Sequence, residues 1–353
     1  MPSSGGPRCY PDIIRRARFQ VKDSRRDELG NLPRARPRYY NVAVENRVLT
    51  IVGCTASGKG TLARALAARL GAELVSIDSM KVYRGMDVGT AKPSPEARAA
   101  IPHHLIDVAD PWEPFSAARF VELAEPAVCE IHGRKRPVVA VGGTLLSFKC
   151  WYQGLVEGPS ADPEIRATLR ARAAAEGLAA LHAELARVDP ESAARIHHHD
   201  LRRIERALEV YQLTGRPISE LQRQWETAGP RRGDWRWILI GLQRPREEVN
   251  HRINLRVKRM LAAGLVDEAR RIWSNPRGVG PQAGQAVGYA ELFEHFTGRR
   301  SLDEAIEQIK IHSRRLAKQQ RTWLKRLPGV NWIDASGIED TTSLVEQALS
   351  RLA

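Results

Sequence analysis

Residues 51–61 read Ile-Val-Gly-Cys-Thr-Ala-Ser-Gly-Lys-Gly-Thr and set the architecture of the whole chain. The run that leads into them, Val48–Val52, is apolar and rich in β-branched side chains, which predicts a buried strand. Leucine and alanine then recur at helical spacing as far as Leu70, and Gly71 is suited to end a helix. The sequence therefore predicts a strand, a glycine-rich loop and a helix in succession.

The loop between this strand and helix matches the pattern G-x-x-x-x-G-K of phosphate-binding loops. Its backbone N–H groups can surround phosphate oxygens, and the helix N-terminus adds positive potential. Lys59 supplies a mobile cation for the terminal phosphates. The residues predicted to contact phosphate are Gly53, Cys54, Thr55, Ala56, Ser57, Gly58, Lys59, Gly60 and Thr61. A hydroxyl that holds Mg²⁺ usually follows the lysine, but Gly60 stands there. Either Thr61 or a nearby Ser or Asp is then expected to bind Mg²⁺ instead, or Mg²⁺ binds more weakly.

The composition favours a polyanionic partner. Lys and Arg total 55 against 41 Asp and Glu, a net charge of +14 over 353 residues. Such an excess is typical of nucleic-acid-binding proteins, although a GC-rich genome that favours Arg codons would give the same charge. The cysteines show no paired spacing of a zinc site or a disulfide framework. With no long apolar run and no signal peptide, the sequence predicts a reduced, cytoplasmic protein that does not enter the membrane.

Two further strand ends carry polar groups. Glu73–Asp78 reads as a second strand that ends in a carboxylate, and Pro137–Val141 reads as a third, followed by Gly142-Gly143-Thr144. In open parallel sheets the ligand crevice lies beyond the carboxyl ends of the strands. Asp78 is therefore expected beside the phosphate loop, where a base or a metal ligand belongs.

The remaining chain divides by its periodicity. Helices are predicted at Ala117–Gly133, Glu247–Trp273 and Leu302–Lys325, and the last two have strongly basic faces. Consecutive His197, His198 and His199 are predicted to lie on a helix, where they would not share a face, so no metal site is expected there. The predicted units are a disordered basic extension (1–46), a first core part (47–159), a helical insertion (160–230), a second core part (231–335) and a C-terminal helix (336–353).

Several segments together resemble the tRNA dimethylallyltransferases. Most specific is Tyr83–Pro93, Tyr-Arg-Gly-Met-Asp-Val-Gly-Thr-Ala-Lys-Pro. The others, in order along the chain, are Gly53–Lys59, Asp78–Met80, Pro102–Asp107, Val141–Thr144, Ala161–Arg166, Arg203–Val210 and Ala286–Tyr289. The resemblance runs from about residue 48 to Asp334. It implies an α/β fold with the parallel sheet of the P-loop NTPases, flanked by helices and interrupted by an all-helical insertion.

The resemblance implies transfer of a dimethylallyl group from dimethylallyl diphosphate to N6 of adenine 37 in tRNA. Asp78 falls on the family's catalytic aspartate, and the residue types make chemical sense, because the exocyclic amine is a poor nucleophile and needs a base. Thr144 falls on the threonine that contacts the target nucleotide or the bridging oxygen. Arg256 resembles the arginine that reaches the diphosphate, with Arg252 as second choice. Mg²⁺ is the expected cofactor, and a monomer is expected to act.

The resemblance also implies contacts with the tRNA anticodon stem-loop. The residues expected to make them are Asp78, Ser79, Met80, Lys81, Thr144, Arg166, Arg202, Arg203, Ile204, Glu205, Arg206, Gln285, Gly288, Tyr289, Lys318, Arg321 and Lys325. Departures from the family pattern occur at Gly60, Leu145, Ser147, Ala290 and Gln319. They bear on how Mg²⁺ is held, on the pocket beside Thr144 and on phosphate contacts.

Three other functions remain open at this point. A small-metabolite kinase with a P-loop would not need a helical insertion or basic C-terminal helices. A prenyltransferase of free adenine nucleotides would not need the segments expected to contact tRNA. A tRNA-binding protein with weakened catalysis would be consistent with Gly60 and Leu145, but it would have no reason to keep Lys59, Asp78 and Thr144 together.

Overall fold

A computed structural model describes residues 46–352, apart from 156–157, 224 and 226–229. The predicted basic extension, 1–46, thus lies almost wholly outside the described residues. Within the described ranges, no helix has the length and apolarity that crossing a bilayer requires.

The described part of the chain forms one parallel sheet of six strands, in the order β3-β2-β4-β1-β5-β6. The strands are β1 (Arg47–Gly53), β2 (Glu73–Ile77), β3 (His103–His104), β4 (Val138–Gly142), β5 (Arg236–Gln243) and β6 (Val330–Asp334). The predicted strands coincide with β1, β2 and β4 to within a residue or two at each end. Because all pairs are parallel, the carboxyl ends of the strands meet at one edge of the sheet.

Helices flank the sheet and fill the long connections. They are α1 (Lys59–Leu70), α2 (Pro95–Ala100), α3 (Ala117–Gly133), α4 (Leu145–Gln153), α5 (Pro163–Glu176), α6 (Leu178–Val188), α7 (Pro190–Arg195), α8 (Leu201–Thr214), α9 (Ile218–Gln222), α10 (Arg246–Ala262), α11 (Leu265–Trp273), α12 (Tyr289–Phe296), α13 (Leu302–Leu324) and α14 (Thr341–Leu349). The predictions of α3 and α13 are confirmed, and Gly71 ends α1 in the left-handed conformation.

The helix predicted over Glu247–Trp273 is wrong in one respect. It is two helices, α10 and α11, because Gly264 adopts φ 89° and ψ 28° between them. A glycine inside an amphipathic pattern does not by itself show whether the helix continues, since glycine tolerates both helical and left-handed backbone.

Two apolar clusters cover the two faces of the sheet, as the alternation of side chains along each strand requires. Leu49 and Ile51 of β1 point to one face and pack with α1 and α14. Val48 points to the other face, which α3, α4, α10 and α13 cover. The helices α5–α8 have a separate small core around Leu181 and Ile204. The helices α5–α8 therefore pack around a hydrophobic core that is separate from those of the sheet.

The end of β4 passes unusually close to β2. Gly142 is in register with Ile77, and a Cβ atom at Gly142 would lie 1.9 Å from the carbonyl oxygen of Ile77. No side chain fits there. This close approach sets the spacing between the two strand ends that carry Asp78 and Thr144.

Gly142→Ala should therefore lower the free energy of unfolding by more than about 3 kcal/mol, since overpacking against a backbone carbonyl cannot be relieved by a rotamer change. Gly133→Ala is the matched control, because a Cβ atom there meets nothing within 4 Å. Its effect should stay within about 1 kcal/mol. Urea unfolding followed by circular dichroism measures both, and equal midpoints for the two variants would contradict the argument.

Candidate active site

The carboxyl edge of the sheet opens into a cavity of about 690 Å³. Three neighbouring strand ends contribute to its wall: the phosphate loop after β1, Asp78–Lys81 after β2, and Gly142–Thr144 around the end of β4. The opposite wall comes from α10, the turn at 285–288 and α13. The sheet topology thus brings together the segments that the sequence placed at strand ends.

The phosphate loop depends on two glycines. Gly58 adopts φ 97° directly before α1, a conformation that glycine permits at no steric cost. A Cβ atom at Gly53 would lie 2.6 Å from Oγ of Ser57, so the first glycine allows the loop to close on itself. The predicted strand–loop–helix unit is confirmed as a local structure.

Two arginine side chains from distant elements form hydrogen bonds with the backbone of the phosphate loop. Arg244, just after β5, donates from Nε to the carbonyl oxygen of Ser57 at 2.9 Å. Arg252 on α10 donates from Nε to the carbonyl oxygen of Ala56 at 3.0 Å. Arg244 was not identified from the sequence. Arg252 faces the loop backbone and Glu339, whereas Arg256 lines the cavity.

Gln320 on α13 connects two walls of the cavity and was also missed. Its Oε1 accepts a hydrogen bond from the backbone N–H of Thr55 at 2.7 Å. Its Nε2 donates to the carbonyl oxygen of Gly143 at 2.9 Å. Gln320 therefore fixes the distance between the phosphate loop and the turn that precedes Thr144.

Buried cationic side chains dominate the electrostatics of the cavity. Burial, with the nearby charges of Arg256 and Lys81, lowers the pKa of Lys59 to about 8. Burial also lowers the pKa of Lys81 and that of Arg256. Lys59 donates from Nζ to the carbonyl oxygen of Cys54 at 3.1 Å, and Arg256 donates to Oγ1 of Thr55 at 3.1 Å. A bound anion would relieve the mutual repulsion of these groups.

Asp78 lies in the short turn after β2, and Thr144, which follows β4, forms hydrogen bonds with the same turn. Oδ1 of Asp78 accepts hydrogen bonds from the backbone N–H groups of Met80, at 2.9 Å, and Lys81, at 3.2 Å. Oγ1 of Thr144 accepts from the backbone N–H of Ser79 at 3.0 Å, and its hydroxyl donates to Oγ of Ser79 at 3.4 Å. Both side chains line the cavity, so a carboxylate and a hydroxyl face the same space as the cations.

A buried carboxylate holds the loop that carries the Tyr83–Pro93 segment. Glu268 on α11 accepts hydrogen bonds from the backbone N–H groups of Asp87 and Val88, each at 2.9 Å, and of Gly89 at 3.0 Å. It also accepts from the hydroxyl of Tyr289 at 2.5 Å. Since Gly89 begins a stretch that lines the cavity, Glu268 positions one of its walls.

Residues 81–327 match the family model described as IPP transferase. The chain belongs to the IPP transferase family.

Relatives within the family match more than four fifths of the chain. A tRNA dimethylallyltransferase of Geobacillus kaustophilus (strain HTA426) is 46% identical over 303 residues, which are 85% of this chain and 94% of that protein. One from Anaeromyxobacter dehalogenans (strain 2CP-C) is 46% identical over 287 residues, 81% of this chain and 94% of the relative.

Solved structures agree with the fold. The tRNA isopentenylpyrophosphate transferase of Bacillus halodurans superposes with a TM-score of 0.63 at 39% identity, covering 87% of this chain and 97% of that one. A eukaryotic dimethylallyltransferase acting on tRNA gives a TM-score of 0.72 at 25% identity, covering 86% of this chain and 77% of that one. The expected α/β parallel-sheet fold is thereby confirmed.

Within this IPP transferase, several side chains expected to contact tRNA are engaged inside the protein. Arg166 forms a two-pronged pair with the buried carboxylate of Glu209, with N–O distances of 2.8 and 2.9 Å, and Arg206 binds the same carboxylate at 2.6 Å. Ile204 is fully buried, and Glu205 is 4% exposed and paired with Arg170. A direct tRNA contact is therefore not available to the side chains of Ile204 and Glu205.

The second group of expected contacts surrounds the turn at 285–288. Arg202 on α8 donates from its guanidinium to Oε1 of Gln285 at 2.7 Å, which joins the helical segment to the cavity wall. Tyr289 is fully buried against Glu268, and burial together with this carboxylate raises the pKa of its hydroxyl. Tyr289 is thus a supporting group whose side chain does not reach the surface, whereas Gln285 and Gly288 line the cavity.

The basic residues of α13 remain on the surface. Lys318 and Lys325 are exposed and Arg321 is half-buried, and Arg203 on α8 is exposed as well.

Among the departures from the family pattern, Gly60 has space beside it: a Cβ atom there would meet only Arg64, at 3.7 Å. Ser147 is buried in α4, behind the cavity-lining Thr144.

Glu268→Ala tests the support of the cavity wall. The change would leave three backbone N–H groups and a buried tyrosine hydroxyl without their acceptor, and each such group costs about 1–3 kcal/mol. We expect a loss of at least about 3 kcal/mol in the free energy of unfolding, measured by urea denaturation. Asp267→Ala, at the exposed neighbouring position, is the control and should change stability by less than about 0.5 kcal/mol. Comparable losses in both variants would show that Glu268 has no special structural role.

Proposed function

We propose that this chain transfers the dimethylallyl group of dimethylallyl diphosphate to N6 of adenine 37 in tRNA. The observation that carries the proposal is the composition of one cavity: a phosphate loop, the cations Lys59, Lys81 and Arg256, and the carboxylate of Asp78. This combination suits a diphosphate leaving group beside a group that accepts a proton. Relatives named tRNA dimethylallyltransferase over nearly the whole chain support the same reaction.

In the reaction, the adenine amine attacks the allylic carbon of the donor. A carbon–nitrogen bond forms, the carbon–oxygen bond to diphosphate breaks, and one proton leaves the amine. Asp78 is the proposed acceptor of that proton, because the amine becomes acidic as it attacks. The two backbone N–H groups that bind its Oδ1 hold the carboxylate in place, and Thr144 is proposed to orient the reacting groups beside it.

The diphosphate gains negative charge as it departs. The amides of the phosphate loop and the positive end of α1 are proposed to bind its oxygens, together with Lys59 and Arg256. The backbone of the phosphate loop is already held in position by Arg244, Arg252 and Gln320, so little reorganisation of the loop is needed when charge develops. Preorganised donors of this kind stabilise a transition state more than water does.

Mg²⁺ is the proposed cofactor of the diphosphate site. It prefers oxygen ligands and is commonly held by one or two protein groups, with substrate phosphates and water completing the shell. The cavity lining offers such oxygens from Thr61 and Asp78, so the residues fit the ion even though Gly60 lacks a hydroxyl. Thr61 is the proposed ligand. When bound, the ion supplies further positive charge to the leaving diphosphate.

Adenine 37 must leave the stacked anticodon loop to enter the cavity, as it does in other enzymes that act on bases. The exposed cations Arg203, Lys318 and Lys325, with Arg321, are proposed to bind the tRNA backbone. Arg202 and Gln285 link that surface to the cavity. Every group in this proposal lies in one chain, so a monomer is sufficient for the reaction.

Asp78→Asn tests the assignment of the base. The amide keeps an oxygen for the N–H groups of Met80 and Lys81 but cannot take the proton, so prenyl transfer should fall by ~10² or more. The affinity for an anticodon stem-loop should change by less than about threefold, which is well under 1.4 kcal/mol of binding free energy. Single-turnover assays and filter binding measure the two quantities. Asp303→Asn, on the exposed first turn of α13, is the control. Equal losses of binding and transfer would remove Asp78 from the chemistry.

Lys59 generates a prediction about protons. In the free protein its pKa is lowered to about 8, so part of the population is neutral at pH 8.5. A bound diphosphate favours the charged form, and binding at pH 8.5 should therefore take up protons, whereas binding at pH 6.5 should take up almost none through this group. Calorimetric titration of dimethylallyl diphosphate in buffers of different ionisation enthalpy measures this. Lys59→Met should reduce the uptake, and what remains would come from Lys81, whose pKa is also lowered by burial. Uptake that is unchanged in the variant would contradict the assignment.

A further inference from the structure

Three consecutive histidines form a cluster between α7 and α8. His197, His198 and His199 lie in the turn between α7 and α8, outside both helices, and all three are exposed. The sequence-based expectation that they point apart assumed a helix and is wrong. In the turn, one ring nitrogen of each residue lies within 4.8 Å of those of the other two.

The local structure orients the rings toward one another. The centroids of His197 and His198 are 4.3 Å apart with nearly parallel planes, and those of His198 and His199 are 4.1 Å apart. Nδ1 of His197 accepts a hydrogen bond from the backbone N–H of His199 at 3.2 Å, which holds the ring of His197 against the turn. Ligation through Nε2 of His197 would move its proton to Nδ1 and replace this hydrogen bond.

Two further side chains near the cluster, His182 and Asp200, already have partners within the protein. His182 on α6 lies behind the cluster, and its Nε2 contacts the carbonyl oxygens of Ala193, at 3.2 Å, and Ile196, at 2.9 Å. The carboxylate of Asp200 caps α8 through the N–H of Arg203 and pairs with its guanidinium.

We propose that His197, His198 and His199 form a surface site for a divalent transition metal such as Zn²⁺, with water completing its shell. Imidazole nitrogens suit Zn²⁺, Ni²⁺ and Cu²⁺ and do not suit Mg²⁺, which prefers oxygen. Zn–N bonds of ~2.0–2.1 Å place neighbouring ligand nitrogens about 3.3 Å apart in a tetrahedral site. Exposed rings within 4.8 Å reach that spacing by rotation of their side chains. The site is independent of the proposed diphosphate site and of its Mg²⁺.

Calorimetric titration of Zn²⁺ into the untagged, metal-free full chain tests the proposal. We expect one site per chain with a dissociation constant in the micromolar range, unaffected by a large excess of Mg²⁺. The double variant His198→Asn/His199→Asn should bind at least tenfold more weakly, because it keeps a single imidazole. His251→Asn, at an exposed histidine on α10, is the matched control and should bind as the unmodified chain does. Unchanged affinity in the double variant would overturn the proposal.

Co²⁺ as a spectroscopic substitute distinguishes this site from the cysteines. Binding by imidazoles and water should give weak visible d–d bands without the intense thiolate-to-metal absorption that cysteine ligation produces. A thiolate band, or the absence of any saturable Co²⁺ and Zn²⁺ binding below millimolar concentration, would contradict the assignment. Circular dichroism checks that the variants are folded.

Discussion

The repulsion among buried cations at the carboxyl edge of the sheet is the constraint on which the rest of this structure depends. Lys59, Lys81 and Arg256 lose water on burial and lie near the carboxylate of Asp78. Such an arrangement opposes folding unless the surrounding structure holds it in place. Hydrogen bonds from Arg244, Arg252 and Gln320 to the loop and turn backbones meet that need without using any cavity charge. A bound diphosphate then offsets the repulsion, which couples donor binding to the stability of the site.

Some arginines of the chain are engaged in ion pairs with buried carboxylates and are therefore less available to tRNA. In the helical segment, Arg166, Arg170 and Arg206 are paired with the buried carboxylates of Glu205 and Glu209. The pairs of Arg166 and Arg170 connect α5 to α8. Two of the arginines expected to contact tRNA, Arg166 and Arg206, are thus engaged by Glu209. The surface cations of α13 and Arg203 carry the proposed tRNA contact instead. The helical segment, α5–α8, enters this proposed contact through Arg203, and the hydrogen bond from Arg202 to Gln285 joins the segment to the cavity wall.

Much of the site followed from local patterns. The phosphate loop, Asp78 and Gly143-Thr144 each come directly after a strand, and parallel strands place such residues at one edge. Gln320 could not be found this way, because the hydrogen bond to Thr55 joins residues 265 positions apart. The burial of Glu268 could not be predicted either, because it arises only where α11 packs against residues 87–89. The break at Gly264 and the turn at His197–His199 depend on backbone angles that the residue types permit but do not dictate.

The most direct test of the central claim is a prenyl-transfer assay with the purified chain. The reaction combines Mg²⁺, dimethylallyl diphosphate and an unmodified anticodon stem-loop with adenines at positions 36, 37 and 38, and mass spectrometry with fragmentation locates the product. The account predicts the gain of one five-carbon unit on N6 of adenine 37, with release of diphosphate. Tight stem-loop binding without transfer, or hydrolysis of the donor without a modified adenine, would contradict it.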